Sequence, residues 1–78
     1  MEKHDIDFID ARLVFYDKAR MERIDDRKDY GKTRLQIIGK ISDDVIVFVV
    51  CTNRGNIIRI ISARRANSKE RGKYYGNS

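Results

Sequence analysis

The sequence has no proline and no tryptophan, and its 78 residues include one cysteine and one histidine. A single cysteine cannot form an internal disulfide, and Cys51 with His4 falls short of the roughly four ligands that a closed zinc site needs. No run reaches the about 20 apolar residues of a membrane helix, and the N-terminal stretch lacks a signal peptide's apolar core. The sequence therefore predicts no metal or other cofactor, no secretion and no membrane insertion, and the expected location is a reducing cytoplasm.

The length of the chain predicts one small domain over residues 1–78. A domain of this size buries only about 60% of the surface that its unfolded chain exposes, so its own core gives marginal stability. Because neither a disulfide nor a metal is expected to add to that core, a partner protein is the expected source of further stability.

Positive charge is concentrated in the last part of the chain. Lys and Arg number 17 against 12 Asp and Glu, which gives a net charge of +5. Residues 1–44 have a net charge of −1, whereas residues 45–78 hold seven Lys and Arg and the single acid Glu70. Such a basic segment is typical of proteins that bind a polyanion, but a solvated basic surface would have the same composition.

The N-terminal third predicts one short helix followed by a loop. Asp7 precedes an apolar-rich stretch and is a suitable N-cap, so we expect a helix over residues 7–16. Residues 17–32 are charged at 11 of 16 positions, and we expect them to form a solvated, mobile connection.

The remainder of the sequence predicts three strands and a helix. Alternating apolar residues indicate strands over Thr33–Ile41 and Ile57–Ser62, and the apolar run Val45–Cys51 indicates a central strand covered on both faces. A capping-box spacing from Asn67 to Glu70 opens a basic helix that runs to about Tyr75. The predicted fold is α+β, with a short N-terminal helix, a three-stranded antiparallel meander and a C-terminal basic helix.

Arg59 is the exception in the third predicted strand, both faces of which look covered by apolar residues. An unpaired buried charge costs several kcal/mol, so this side chain must pair with an acid, reach solvent or line a cleft for an anion. The acids of residues 17–32 are the expected partners in the first case. In the last case Arg34 could lie nearby, because the two strands belong to one meander.

The string RGNIIRIISARRANSKERGKYY, beginning at Arg54, resembles the C-terminal signature of the BrnT toxins. These are small RelE-like ribonucleases of type II toxin–antitoxin systems, and the segment IRIISARRA is the specific part of the match. The upstream KHDIDFIDARLVF, beginning at Lys3, is similar to the family's Lys-His segment, and Arg34 followed by Gly39 is similar to one of its strands. Relatives begin with a further strand and a fuller helix, so we expect this chain to lack that strand and to expose apolar area.

The resemblance implies metal-independent cleavage of RNA, in which the ribose 2′-hydroxyl attacks the adjacent phosphorus. It places Arg34, Arg59 and Arg64 on the scissile phosphate, and Arg65 and Lys69 on the flanking RNA backbone. It also implies an antitoxin partner, a ribbon-helix-helix protein of the BrnA type. We expect that antitoxin to cover an apolar surface of the toxin and to raise its melting temperature.

For the other candidate residues, a structural role is an alternative to the functional role. Tyr74 is the candidate for proton transfer, for which its pKa would have to fall below the usual value near 10, or it packs on the sheet. Glu70 is either a capping-box residue or a base, and His4 is either a surface residue or a catalyst. Cys51 is expected in the core, because no acid or histidine is adjacent to activate it.

A second interpretation is a non-catalytic module that binds the antitoxin or a nucleic acid. It depends on the expected loss of the N-terminal strand and on departures from the family pattern. Asp5 stands where relatives have Gly, and Asn53 stands where they tend to have Glu.

Overall fold

The computed structural model describes residues 6–29 and 32–76. In chain order the elements are α1 (Phe8–Ala11), a 3-10 helix (Arg12–Tyr16), β1 (Met21–Asp29), β2 (Lys32–Ser42), β3 (Val45–Arg54), β4 (Ile57–Arg65) and α2 (Ser68–Gly76). The four strands form one antiparallel sheet in the order β1-β2-β3-β4. The α+β class is confirmed, but the meander has four strands rather than the expected three.

The additional strand is β1, and it corrects the expectation of a mobile connection over residues 17–32. It pairs antiparallel with β2, with Met21 opposite Ile38 and Ile24 opposite Leu35. Since β1 lies at the edge of the sheet, residues such as Glu22 and Arg23 remain exposed. Charged side chains on an edge strand hinder its pairing with other protein chains. The same charged side chains give β1 a composition that is typical of a loop.

The two C-terminal strands are longer than predicted. β3 continues to Arg54 and β4 to Arg65, so the turn between them consists of Gly55 and Asn56. Gly55 has a φ of 63°, a left-handed conformation that residues with a Cβ atom rarely adopt. The tight turn starts an antiparallel pairing that runs from Arg54 opposite Ile57 to Val47 opposite Arg65.

The core lies on both faces of the sheet. We call the face covered by α1 and the 3-10 helix the back face, and the face on which α2 packs the front face. The buried back-face cluster consists of Ala11, Val14, Ile37, Val47, Val49, Cys51 and Ala63. The smaller front-face cluster consists of Ile38, Ile46 and Tyr74, with Met21, Phe48 and Ala66 packed against it. β3 contributes to both clusters, which confirms it as the central strand covered on two sides.

The predicted N-terminal helix is present, although its second half is a 3-10 helix. The Asp7 side chain accepts a hydrogen bond of 3.0 Å from the Ile9 backbone N–H, which confirms the predicted cap. The 3-10 helix approaches β2 at Gly39, where an added Cβ atom would overlap Val14 Cγ2 and lie 3.1 Å from Arg20 Cβ. The absence of a side chain at Gly39 therefore permits this close packing.

Candidate functional site

A row of three polar residues crosses the front face. Arg34 on β2 pairs with Thr52 on β3, and Thr52 pairs with Arg59 on β4. A strand spacing of about 4.8 Å puts the Cα atoms of the two arginines about 10 Å apart. Thr52 is buried at 7% exposure, Arg34 is half-buried and Arg59 is exposed. Since two long guanidinium side chains flank one buried hydroxyl, the row has the dimensions to bracket a single phosphate.

A β-bulge in β4 brings Arg59 and Arg64 to the same face of the sheet. Five positions separate the two residues, so strict alternation would direct them to opposite faces. The register passes over Ile61, because Ser62 and Ile60 pair with consecutive residues of β3. One extra residue shifts the alternation by one position, and both arginines consequently lie on the front face.

The position of β4 at the edge of the sheet explains how Arg59 is accommodated. Both faces of this strand were expected to be covered, which is wrong: Ile57 is 71% exposed and Ile58 is 50% exposed. Pairing of Arg59 with an acid of β1 is opposed by the topology, because β1 lies three strand spacings away, about 14 Å. The guanidinium of Arg59 reaches solvent.

Arg64 is held in place by an anion and an aromatic ring. Its Nη1 and Nη2 atoms donate to Glu70 Oε1 and Oε2 at 2.8 Å each, and its Cζ lies 4.5 Å from the centroid of the Phe48 ring. The hydrogen bonds between the two side chains raise the pKa of Arg64 and lower that of Glu70. Arg64 is thus oriented and its charge balanced, about 13 Å along the sheet from Arg59.

Glu70 also closes the capping box at the start of α2. The backbone N–H of Glu70 donates to Asn67 Oδ1 at 2.8 Å, and the N–H of Asn67 donates to Glu70 Oε1 at 2.9 Å. The predicted cap is therefore confirmed. Two partners and a lowered pKa make this carboxylate a weak base in the observed arrangement.

Tyr74 is engaged with Asp17 rather than with the arginines. Its hydroxyl donates to Asp17 Oδ2 at 2.7 Å, and only 8% of the residue is exposed. Burial, together with the Asp17 carboxylate, raises the pKa of Tyr74 to about 12. Proton transfer by Tyr74 would require a lowered pKa, whereas the pKa of Tyr74 in this structure is raised.

The remaining predicted site residues are dispersed. Arg65 pairs with Val47, a back-face core residue, so alternation places it on the face opposite Arg64. Lys69 is exposed in the first turn of α2. His4 lies outside the described residues. The front face therefore gathers three of the predicted arginines and separates them from Arg65.

Sequence reasoning missed a small cleft between α2 and the front face. It has a volume of about 160 Å³, and its polar lining includes Arg23, Gln36, Glu70 and Lys73. Gln36 shares the alternation of Arg34, and Lys73 lies one helical turn after Glu70, so both could have been found from the sequence. Arg23 could not, because its strand was interpreted as a loop. The cleft adds two cations to the front face.

Cys51 is fully buried in the back-face core, as predicted, and its burial raises the pKa of the thiol. Within residues 6–29 and 32–76, no group of three or more His, Cys, Asp or Glu side chains is placed to hold a metal ion. In the same part of the chain, no helix has the length and apolar character needed to cross a membrane.

The fold and the front face define a small α+β protein whose sheet carries three arginines on one face. The sequence profile of the BrnT family, described as a ribonuclease toxin of type II toxin–antitoxin systems, matches residues 1–70. The chain belongs to this family, which implies an antitoxin partner and an RNA target. No curated protein sequence matches the chain significantly.

Proposed function

We propose that this chain is an endoribonuclease toxin with a RelE-like fold, which cleaves RNA without a metal ion. The row Arg34–Thr52–Arg59 supports the proposal, because its register sets two arginines on one face of the sheet at a spacing that suits a single phosphate. When the ribose 2′-hydroxyl attacks the adjacent phosphorus, the bond from phosphorus to the 5′-oxygen breaks, the 2′-hydroxyl loses its proton and the departing 5′-oxygen gains one. Negative charge grows on the phosphorane oxygens during this exchange. Cations at that position stabilise the charge and lower the barrier.

Arg64 and Lys69 extend the proposed contact along the RNA. Arg64 lies on the same face as the row, and its attachment to Glu70 and Phe48 keeps its position fixed. Lys69 follows at the exposed start of α2. Arg65 lies on the back face of the sheet. In this proposal it contacts RNA only where the RNA chain passes around the end of β4. Tyr74 is the weakest part of the sequence-based assignment, since Asp17 holds its hydroxyl.

The proposed partner is a cognate antitoxin of the ribbon-helix-helix type, and the proposed location is the cytoplasm, where RNA and antitoxin meet. Membership of a type II toxin–antitoxin family supports a protein antitoxin. The ribbon-helix-helix type follows from the family resemblance alone.

Cleavage by the purified protein tests the proposal. In EDTA, we expect wild type to cut single-stranded RNA and to leave 2′,3′-cyclic phosphate ends. Arg34→Ala and Arg59→Ala should each lower the rate by about 10²- to 10³-fold, because each removes one cation from the developing charge. Arg71→Ala removes an exposed cation from α2 and serves as the charge-matched control, with a rate within about twofold of wild type. Equal losses in all three variants, or cleavage that EDTA abolishes, would contradict the proposal.

A second candidate is a toxin-like module that binds without cutting. It is favoured by the neutralisation of Arg64 by Glu70 and by the engagement of Tyr74 with Asp17. In that case RNA affinity would fall steeply with salt, because binding releases counterions, while the RNA stays intact. Gel analysis of RNA after incubation with a saturating amount of protein separates the two functions.

A further inference from the structure

An apolar groove runs between β4 and the N-terminal helices. It shares Arg59 with the row Arg34–Thr52–Arg59, which we call the phosphate row. Its volume is about 710 Å³, within the range of about 300–1,000 Å³ that is usual for binding clefts. Phe15 and Ile60, which pack against the back-face core, are half-buried in it. Phe8, Tyr16, Ile57 and Ile58 complete its apolar lining. Contiguous exposed apolar area of this kind is typical of surfaces that bind another molecule.

The charge of the groove has one sign. The charged residues that line it are Arg12 and Arg59, and among the described lining residues none is acidic. The apolar walls are strongly exposed, with Tyr16 at 81% and Ile57 at 71%. Such a surface complements a segment that carries both apolar side chains and carboxylates, and it disfavours a basic one.

We propose that this groove binds the antitoxin, through a segment that inserts apolar side chains beside Phe15 and Ile60 and directs carboxylates to Arg12 and Arg59. The identity of the partner rests on the proposed function and on membership of a toxin–antitoxin family. The location and the chemistry of the contact rest on the groove itself.

Arg59 connects this contact to inhibition. It borders the groove and also forms one end of the phosphate row. A carboxylate paired with Arg59 would occupy the guanidinium that the RNA phosphate needs, so the bound antitoxin would block RNA directly. Neutralisation would then require no change in the fold of the toxin.

Two isoleucines at opposite edges of the sheet provide a matched test. Ile57 on β4 lies in the groove, and Ile24 on β1 lies away from it with a similar exposure of 65%. The probe is the purified cognate antitoxin, titrated by calorimetry against each toxin variant. We expect Ile57→Asp to raise the Kd at least about tenfold and Ile24→Asp to change it less than about twofold. Equal effects of the two substitutions would overturn the proposal.

The charge of the groove is tested separately with Arg12, which lies outside the phosphate row. Arg12→Glu should weaken antitoxin binding at least about tenfold, whereas Arg71→Glu on α2 should weaken it less than about threefold. The same variants are titrated with single-stranded RNA. A loss of RNA affinity in Ile57→Asp with unchanged antitoxin affinity would overturn the proposal and assign the groove to RNA.

Light scattering on the toxin alone tests the other occupant, a second copy of this chain. A monomer supports the proposal, and a dimer that Ile57→Asp dissociates overturns it. All these measurements report binding, so they remain decisive if the chain proves unable to cut RNA. Failure of the proposed activity and failure of the docking proposal are therefore distinguishable.

Discussion

At the scale of single residues, Asp17 joins three parts of the chain. Its Oδ2 accepts the Tyr74 hydroxyl and the Lys40 backbone N–H at 2.8 Å, while its Oδ1 accepts the Ala19 N–H at 2.9 Å. The carboxylate thereby links the turn after the 3-10 helix to β2 and to α2. The sequence predicted Asp17 to lie in a solvated loop, but in the structure its carboxylate connects three parts of the fold.

The stability that Asp17 contributes should depend on pH. Burial alone would raise its pKa, but the hydrogen bonds from Lys40, Tyr74 and Ala19 outweigh burial and lower it below the ordinary value of 3.8. A lowered pKa stabilises the fold above the unfolded value and ceases to do so as pH falls through the folded value. Asp17→Asn should therefore be less stable than wild type at pH 6, and the difference should narrow below about pH 3.8.

Urea denaturation between pH 2 and pH 7 measures this difference. Asp44→Asn, an exposed change in the β2–β3 turn, is the control and should stay close to wild type throughout. If the difference in the free energy of unfolding between wild type and Asp17→Asn is constant over the whole pH range, the charge of the carboxylate is not the cause of that difference.

Glu70 balances the charge of Arg64, and under the proposed function it limits how much of that charge is available to RNA. Glu70→Gln keeps a side chain that is compatible with the capping box but removes the charge that balances Arg64. We expect tighter RNA binding at low salt and a salt slope steeper by about 0.7, since one more cation becomes available to a phosphate of the single strand. Fluorescence anisotropy with labelled single-stranded RNA from 50 to about 300 mM salt tests this, and an unchanged slope would show that Arg64 does not contact RNA.

At the scale of elements, the packing of the 3-10 helix on β2 depends on Gly39. A Cβ atom there would overlap Val14 Cγ2, whereas a Cβ atom at Gly72 on α2 would meet nothing within 4 Å. We expect Gly39→Ala to lower the free energy of unfolding by about 1–3 kcal/mol, because the buried contact is overpacked. Gly72→Ala should be neutral or stabilising by up to about 1 kcal/mol, as alanine favours helix. Thermal melts of the two variants compare the sites, and equal destabilisation would refute the packing argument.

An element could be predicted from the sequence only where it carries a local signal. The caps at Asp7 and Asn67 and the apolar run of β3 are encoded in a few neighbouring residues, so their predicted positions are confirmed. β1 has no such signal, since its charged sequence becomes a strand only by pairing with β2. The bulge at Ile61 is equally invisible in the sequence, because it is defined by the register between two strands.

At the scale of the whole molecule, the phosphate row and the apolar groove meet at Arg59. A small domain with this much exposed apolar surface should gain stability from a partner that covers it. At an antitoxin concentration about 100-fold above the Kd, binding contributes about 2.7 kcal/mol, which corresponds to a rise in Tm of roughly 10 °C or more for a domain of this size. Differential scanning fluorimetry of toxin with and without antitoxin measures the rise, and equal melting temperatures would contradict it.

The sequence by itself determined the α+β class, the central strand, the two helices and the family, because these depend on local patterns and on a specific motif. Only the tertiary structure decided which charges act together. Arg34 and Arg59 share a row through pairing with Thr52, Arg64 is balanced by Glu70, and Tyr74 is held by Asp17. The first relation depends on strand register, the second on how α2 begins beside the end of β4, and the third on contact between segments 57 positions apart. None of them can be deduced from the spacing of residues along one strand.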